Sequence, residues 1–300
     1  MIRRFCAALG GLLTLAAVAA APPAAALEIV ATAPSLGALA REIAGPGAQV
    51  TVLAGPQQDL HRLQAKPSMM RRLRDADLVV AIGAELEMGW LPVAIAGAAN
   101  SRIQPGQPGY FEAAAQVDLL DRGGSADRAQ GDVHPVGNPH LDLDPVRMAA
   151  VGQALAGRLA QLDPAGAADY RARAQAFADQ VDARTATWQA QLAGAPGALL
   201  YHRDAIYLLE RFGVPLLGTI APVPGVPPTG RQLSALKAAL TGRRGVILYA
   251  PYQSPQAPQA LARDLGWPVV QLPLEPPLEA DGKGYLDHLG RWVAALASAR

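Results

Sequence analysis

Five histidines and one cysteine are the residues of this 300-residue chain best suited to hold a metal or act as nucleophiles. Neutral imidazole is the commonest protein metal ligand, and its ordinary pKa lies near neutrality. His61 lies in GPQQDLHRLQAKPS, His134 and His140 in GDVHPVGNPHLDLDP, His202 in YHRDAIYLL and His288 in DHLGR. The segment holding His134 and His140 is broken by Pro135, Gly137, Asn138 and Pro139. It cannot be a helix and makes a poor strand, so both imidazoles must sit on an irregular loop. Taken alone, a loop histidine is more often a surface residue than a ligand. His288 reads that way, on the outer face of a polar helix turn.

The elements that must position these side chains follow from pattern. Residues 1–26 have the three-part layout of a secretory signal peptide: cationic MIRRF, an apolar run, and the small-residue end Ala24-Ala25-Ala26. The run is too short and alanine-rich for a convincing membrane span. Cys6 lies inside it, so cleavage leaves a chain without disulfides, thiolate ligands or a cysteine nucleophile. The expected location is the periplasm, as a monomer. Of 26 basic residues two, Arg3 and Arg4, belong to the leader, and the rest face 25 acidic ones. That balance gives no sign of a nucleic-acid partner.

From residue 27 onward, short apolar runs alternate with helical patterns. Strands are expected at 27–36 (its first part), 48–55, 77–83, 197–202, 214–222, 245–251 and 268–273; between about 101 and 140, rich in Gly, Pro and Asp, only 116–121 reads as regular structure. Helices are expected at 35–45, 66–76, 85–100, 144–163, 204–213, 229–242, 254–266 and 284–299. A longer one covers 164–194, roughly 43 Å if continuous over most of that range. Such alternation predicts an α/β fold of parallel sheets covered on both faces. Two blocks flank the long helix. The expected organisation is therefore an N-terminal α/β lobe (27–163), a linking helix (164–194) and a C-terminal α/β lobe (195–300), with a metal site in the cleft between lobes. Ligands of open α/β sheets bind beyond the carboxyl ends of the strands. His61 follows one strand, His202 ends another, and His140 precedes a helix.

The words around these histidines occur in a telling order. GPQQDLHRLQAKPSMMRRLRDADLVVAIGAELEMGWL, GNPHLDLDP, YHRDAIYLLERFGV and TIAPVPGVPPTGRQLSAL follow one another along the chain. Together they resemble the metal-binding solute-binding proteins of zinc and manganese ABC importers, over essentially the whole chain after the leader. The resemblance implies His61, His140 and His202 as metal ligands, with a carboxylate from the loop after the last strand. Glu275 is the nearest match for that carboxylate and Asp281 the alternative. Leu60 stands where the family usually has proline, which is expected to loosen the first loop. Ala221 stands where the matching branch often has an acid. The family's long histidine-rich loop is missing. His134 reads as exposed or weakly assisting, with direct ligation a lesser alternative.

Three neutral imidazoles and one carboxylate suit tetrahedral Zn²⁺; Mn²⁺, the second candidate, prefers more oxygen ligands. Asp132, Asp142 and Asp144 are candidates to orient the imidazoles, while Asp144 also reads as a helix cap before Pro145. The implied function is capture of a divalent metal and delivery to a membrane ABC permease. A zinc hydrolase with three histidines and an open water position is a second reading, but the chain has no HExxH helix, no GxSxG elbow and no clear general base. A two-lobed binder of a metal chelate is a third, and it leaves the histidines unexplained.

Overall fold

A computed structural model describes residues 26–123, 134–223 and 226–299. Residues 1–25 of the expected signal peptide, and Asp132, lie outside the described residues. Those described form eight strands and nine α-helices. The first sheet contains β1 (Leu27–Ala31), β2 (Ala48–Val52), β3 (Leu78–Ala81) and β4 (Tyr110–Glu112), in the order β2-β1-β3-β4. The second contains β5 (Ala198–Leu200), β6 (Leu216–Thr219), β7 (Val246–Tyr249) and β8 (Val269–Gln271), in the order β6-β5-β7-β8. All pairings are parallel. Runs such as LVVA in β3 and VILY in β7 are buried along their whole length, as strands covered on both faces must be.

Helices α1 (Pro34–Ala44), α2 (Pro67–Arg74) and α3 (Leu91–Ala98) connect the strands of the first sheet, and α4 (Pro145–Leu162) follows it. Helices α6 (Ile206–Phe212), α7 (Gly230–Leu240), α8 (Gln256–Leu265) and α9 (Gly282–Ala297) belong to the second half. Between them runs α5 (Ala167–Leu192), 26 residues and about 39 Å long. Its buried residues Tyr170, Ala174, Phe177, Val181, Trp188 and Leu192 recur every three or four positions, one stripe facing inward. The stripe packs on α4, α1 and α9.

Two sequence expectations fail here for local reasons. Residues 116–121 join no ladder; the fourth strand is Tyr110–Glu112, in a stretch whose Gly and Pro hide it. The helix expected at 85–100 begins only at Leu91. Residues 84–90 form turns, with Ala84 and Glu85 both at positive φ, 49° and 67°. Two consecutive non-glycine residues in that region are rare enough that no propensity rule anticipates them. Among the described residues no helix is long and apolar enough to cross a membrane.

Candidate metal centre

Each loop that leaves a strand's carboxyl end brings one piece of the site. After β2, Asp59 starts a short turn: its Oδ1 accepts from the His61 amide at 3.0 Å and faces His61 Nδ1 at 2.9 Å. A carboxylate acceptor puts the proton on Nδ1 and leaves Nε2 as a lone pair. Burial works to raise the Asp59 carboxyl, but the hydrogen bond and charge of His61 outweigh it and hold it below the usual range. Leu60 is anchored at two points. Its side chain is buried, and its carbonyl accepts from Trp90 Nε1 at 3.0 Å.

His202 stands just beyond β5, the central strand at which the second sheet changes winding direction. Its Nδ1 meets the Ala221 carbonyl at 2.5 Å, so its Nε2 too is left as the acceptor. Asp204, two residues on, is largely buried. Burial raises its carboxyl, opposed by the charge of His202 and the hydrogen bond from Gln253. Gln253 Nε2 donates to Asp204 Oδ2 at 2.8 Å, while Asp204 Oδ1 lies 3.7 Å from His140 Nε2.

The loop 134–144 is fastened to the segment after His202. Asn138 accepts from the His140 amide at 3.0 Å through Oδ1 and donates Nδ2 to the Arg203 carbonyl at 2.9 Å. Tyr207 Oη donates to the Asn138 carbonyl at 2.6 Å. Asp144, fully buried, accepts from the Val146 amide, from Arg147, and from both Nε and Nη2 of Arg211 at 2.9 and 2.8 Å. It caps α4 and ties α4 to α6; it does not touch an imidazole in these contacts.

The result is a gathering of four imidazoles. His61 and His140 have ring centroids 5.3 Å apart, His61 and His134 5.1 Å. Burial, then the charges of His61, His134 and His202, push His140 well below the usual imidazole value. It stays neutral at pH 7, as a metal ligand must. Asp59, His61, His202, Asp204 and Tyr252 line one cavity of about 300 Å³. Among the described residues no three His, Asp or Glu side chains already close around a single point.

The sequence-predicted residues are therefore distributed as follows. His61, His140 and His202 come together. His134 joins them instead of facing solvent. Glu275 is buried after β8, where its Oε2 accepts from the Ser35 amide at 2.7 Å in the first turn of α1. Burial, then the charge of Asp142, drives its carboxyl well above the usual range. Asp142 itself is pushed up to about 6 by burial. Asp281 caps α9 by accepting from the Gly284 amide at 2.8 Å. His288 is not on the outer face: it is 2% exposed, with Nε2 donating to the Leu274 carbonyl at 3.0 Å. Its pKa is pushed down to about 4 by burial. The spacing of Tyr285, His288, Leu289 and Trp292 marks that inward face, and it was available in the sequence.

Sequence reasoning missed Asp204, though it lies beside His202, and also Glu87. The Glu87 carboxylate is buried and accepts from Thr32 Oγ1 at 2.6 Å, Ile82 N at 2.8 Å and Gly83 N at 3.1 Å. It clamps the end of β1 to the turn after β3.

Comparison with known proteins agrees with this architecture. The chain is 24% identical over 250 residues to the high-affinity zinc uptake system protein ZnuA of Yersinia pestis, covering 78% of this chain and 79% of that one. It is 24% identical over 160 residues to the metal ABC transporter substrate-binding lipoprotein ScbA of Streptococcus cristatus; that match covers 52% of this chain and spans only 48% of the relative's length. Its fold superposes on a crystal structure of ZnuA with a TM-score of 0.77 at 21% identity, covering 91% of this chain and 99% of that one. A Pseudomonas aeruginosa solute-binding protein, FpvC, solved with Ni²⁺, superposes with a TM-score of 0.74 at 24% identity, covering 91% and 96%. The family described as zinc-uptake complex component A, periplasmic, matches residues 29–299, and the chain belongs to it.

Proposed function

We propose that this protein captures one divalent transition metal, zinc first and manganese second, in the periplasm and hands it to an ABC permease. One observation carries the reading: His61 and His202, far apart in sequence, line one cavity with Nδ1 engaged so that Nε2 is the donor, and the His140 ring lies 5.3 Å from that of His61. Second partners of this kind fix the tautomer and the ring direction of metal-binding histidines. Relatives of this family are substrate-binding transport components, not enzymes. The protein acts alone as a monomer until it meets the permease. Export rests on the signal peptide read from residues 1–26.

The test is metal analysis of protein purified from its native compartment, followed by Zn²⁺ against Mn²⁺ competition on chelator-stripped protein. A single tight step with zinc preferred is expected; two equal steps, or none, overturn the reading. Protons compete with metal for imidazole, whose ordinary pKa is about 6.5. Apparent affinity should therefore fall from pH 7 to pH 5. The depressed pKa of His140 moves its share of that loss to lower pH. Flat affinity across the range speaks against imidazole ligands.

A carboxylate accompanies the three imidazoles. Glu275 is the residue the resemblance puts there, and its Oε2 already accepts from the Ser35 amide. Asp204 has Oδ1 3.7 Å from His140 Nε2. Losing a carboxylate that binds or orients at a metal site costs about 10- to 100-fold in affinity. We expect that loss for Asp204→Asn, a smaller one for Glu275→Gln, and none for Asp281→Ala, in the same competition titration. The largest loss at Glu275 instead would give it the ligand position.

A further inference from the structure

We propose that His134 is itself a metal-binding residue of this site, a fourth imidazole that makes the donor set nitrogen-rich and biases it toward zinc. The proposal rests on the metal-capture reading above. Its ground is the geometry of two ring nitrogens. His134 Nδ1 lies 3.1 Å from the Ala84 carbonyl, and a carbonyl can only accept, so Nδ1 carries the proton. His61 Nδ1 likewise donates to Asp59. In their neutral forms both rings then present an Nε2 lone pair, and these two Nε2 atoms face each other at 3.1 Å.

Two acceptors at that distance repel unless something positive lies between or beside them. A shared metal ion answers that need. Nitrogens at about 2.0–2.1 Å from a tetrahedral zinc stand roughly 3.3–3.4 Å apart, so the observed separation is within a few tenths of an ångström of a chelating pair. Apo protein can hold the same contact in another way, with a proton between the rings as an imidazolium–imidazole hydrogen bond. The two explanations differ in what His134 does to metal affinity.

The backbone behind His134 supports a built position. The carbonyl it uses belongs to Ala84, which with Glu85 adopts the left-handed region, a conformation that costs non-glycine residues energy. That turn is in turn fixed by the Glu87 carboxylate through the amides of Ile82 and Gly83. So the acceptor orienting His134 is anchored to the end of β3, as the acceptor orienting His202 is anchored just beyond β6. With four imidazoles present, Asp204 neutralises charge beside His140 and is not an obligatory donor. Imidazole donors suit zinc, nickel and copper better than manganese, which favours oxygen.

The experiment is a competition titration of chelator-stripped full chain with Zn²⁺ and with Mn²⁺, plus the visible absorption of the Co²⁺-loaded protein. His134→Ala is expected to weaken Zn²⁺ binding by at least about tenfold, to weaken Mn²⁺ binding less, and to change the Co²⁺ spectrum. His202→Ala is run beside it. If His202→Ala binds like the parent protein, the metal-capture reading itself fails. If His202→Ala loses binding while His134→Ala, melting like the parent apo protein, keeps the parent Zn²⁺ affinity and Co²⁺ spectrum, the His134 proposal alone is overturned and the imidazolium pair is the explanation of the contact. Should His134→Ala melt lower, His134→Gln is judged by the same two readings.

Discussion

Replacement of His202 or His140 by alanine is expected to lower zinc affinity by about a hundredfold or more, the largest effect at any single position. Groups that merely orient a metal ligand are worth about 10- to 100-fold, and a direct donor cannot be worth less. The two variants should differ in what else they change. His202 is partly exposed, and its removal frees the Ala221 carbonyl and the edge contact with Tyr201. His140 is 9% exposed and packed against the His61 ring, so its removal also leaves a cavity and lowers apo stability. Competition titration with a chromophoric chelator reads the first effect and thermal melting of apo protein the second. Parent-like zinc affinity in either variant would remove that histidine from the site.

The largest expected effect on stability lies away from the metal, at Asp144. This carboxylate is inaccessible to solvent and holds Arg211 through two hydrogen bonds and Arg147 through a third. Asp144→Asn leaves two guanidinium groups beside a neutral amide. Breaking a buried ion pair from one side costs about 3–5 kcal/mol. The lower end is appropriate, because the Arg211 side chain is 30% exposed and can recover some hydration. For a chain this size about 3 kcal/mol corresponds to a fall of roughly 6–10 °C in melting temperature. Arg147 also lies over the Tyr207 ring at 4.8 Å, and Tyr207 holds the Asn138 carbonyl. The variant should therefore weaken zinc binding modestly as the His140 loop loses a support. A melting temperature within about one degree of the parent would show that the cluster is energetically idle.

How far the sequence revealed this molecule depended on how local each signal was. The order of strands and helices was legible because buried parallel strands such as LVVA and VILY are continuous apolar runs flanked by helical patterns. The α/β class and the position of the ligand site beyond the strand ends followed. Tyr110–Glu112 was not legible: three residues among Gly and Pro become a strand only because β3 offers an edge beside them. The turn at 84–90 was hidden for a similar reason. The buried Glu87 carboxylate, engaging three donors from β1 and the β3 end, helps hold a backbone that Ala84 and Glu85 would not choose alone. The convergence of His61, His140 and His202 was read from words resembling a family, not from spacing. The contact of His134 with His61 was not legible, because its partners, Ala84 and His61, come from two other loops. Asp204 was overlooked although it follows His202 by two positions. His288 could have been placed correctly from helical periodicity alone.

One contiguous cluster of buried side chains runs through both halves of the molecule, taking in Ile29 and Val80 of the first sheet, Phe177 of α5, and Leu200, Val246 and Trp292 from the second half. Helix α9, although last in the chain, packs on α1 and α5. The two sheets are thus lobes in outline but one body in cooperativity. Each half also keeps a smaller buried cluster of its own, around Leu73 and Trp90 in the first and Ile247 and Trp267 in the second, but the main core is shared, and a break at either end of α5 would expose apolar surface on both. On the metal-capture proposal, a core shared between the halves leaves the loops around His61 and His140 as the segments whose movement would admit an ion.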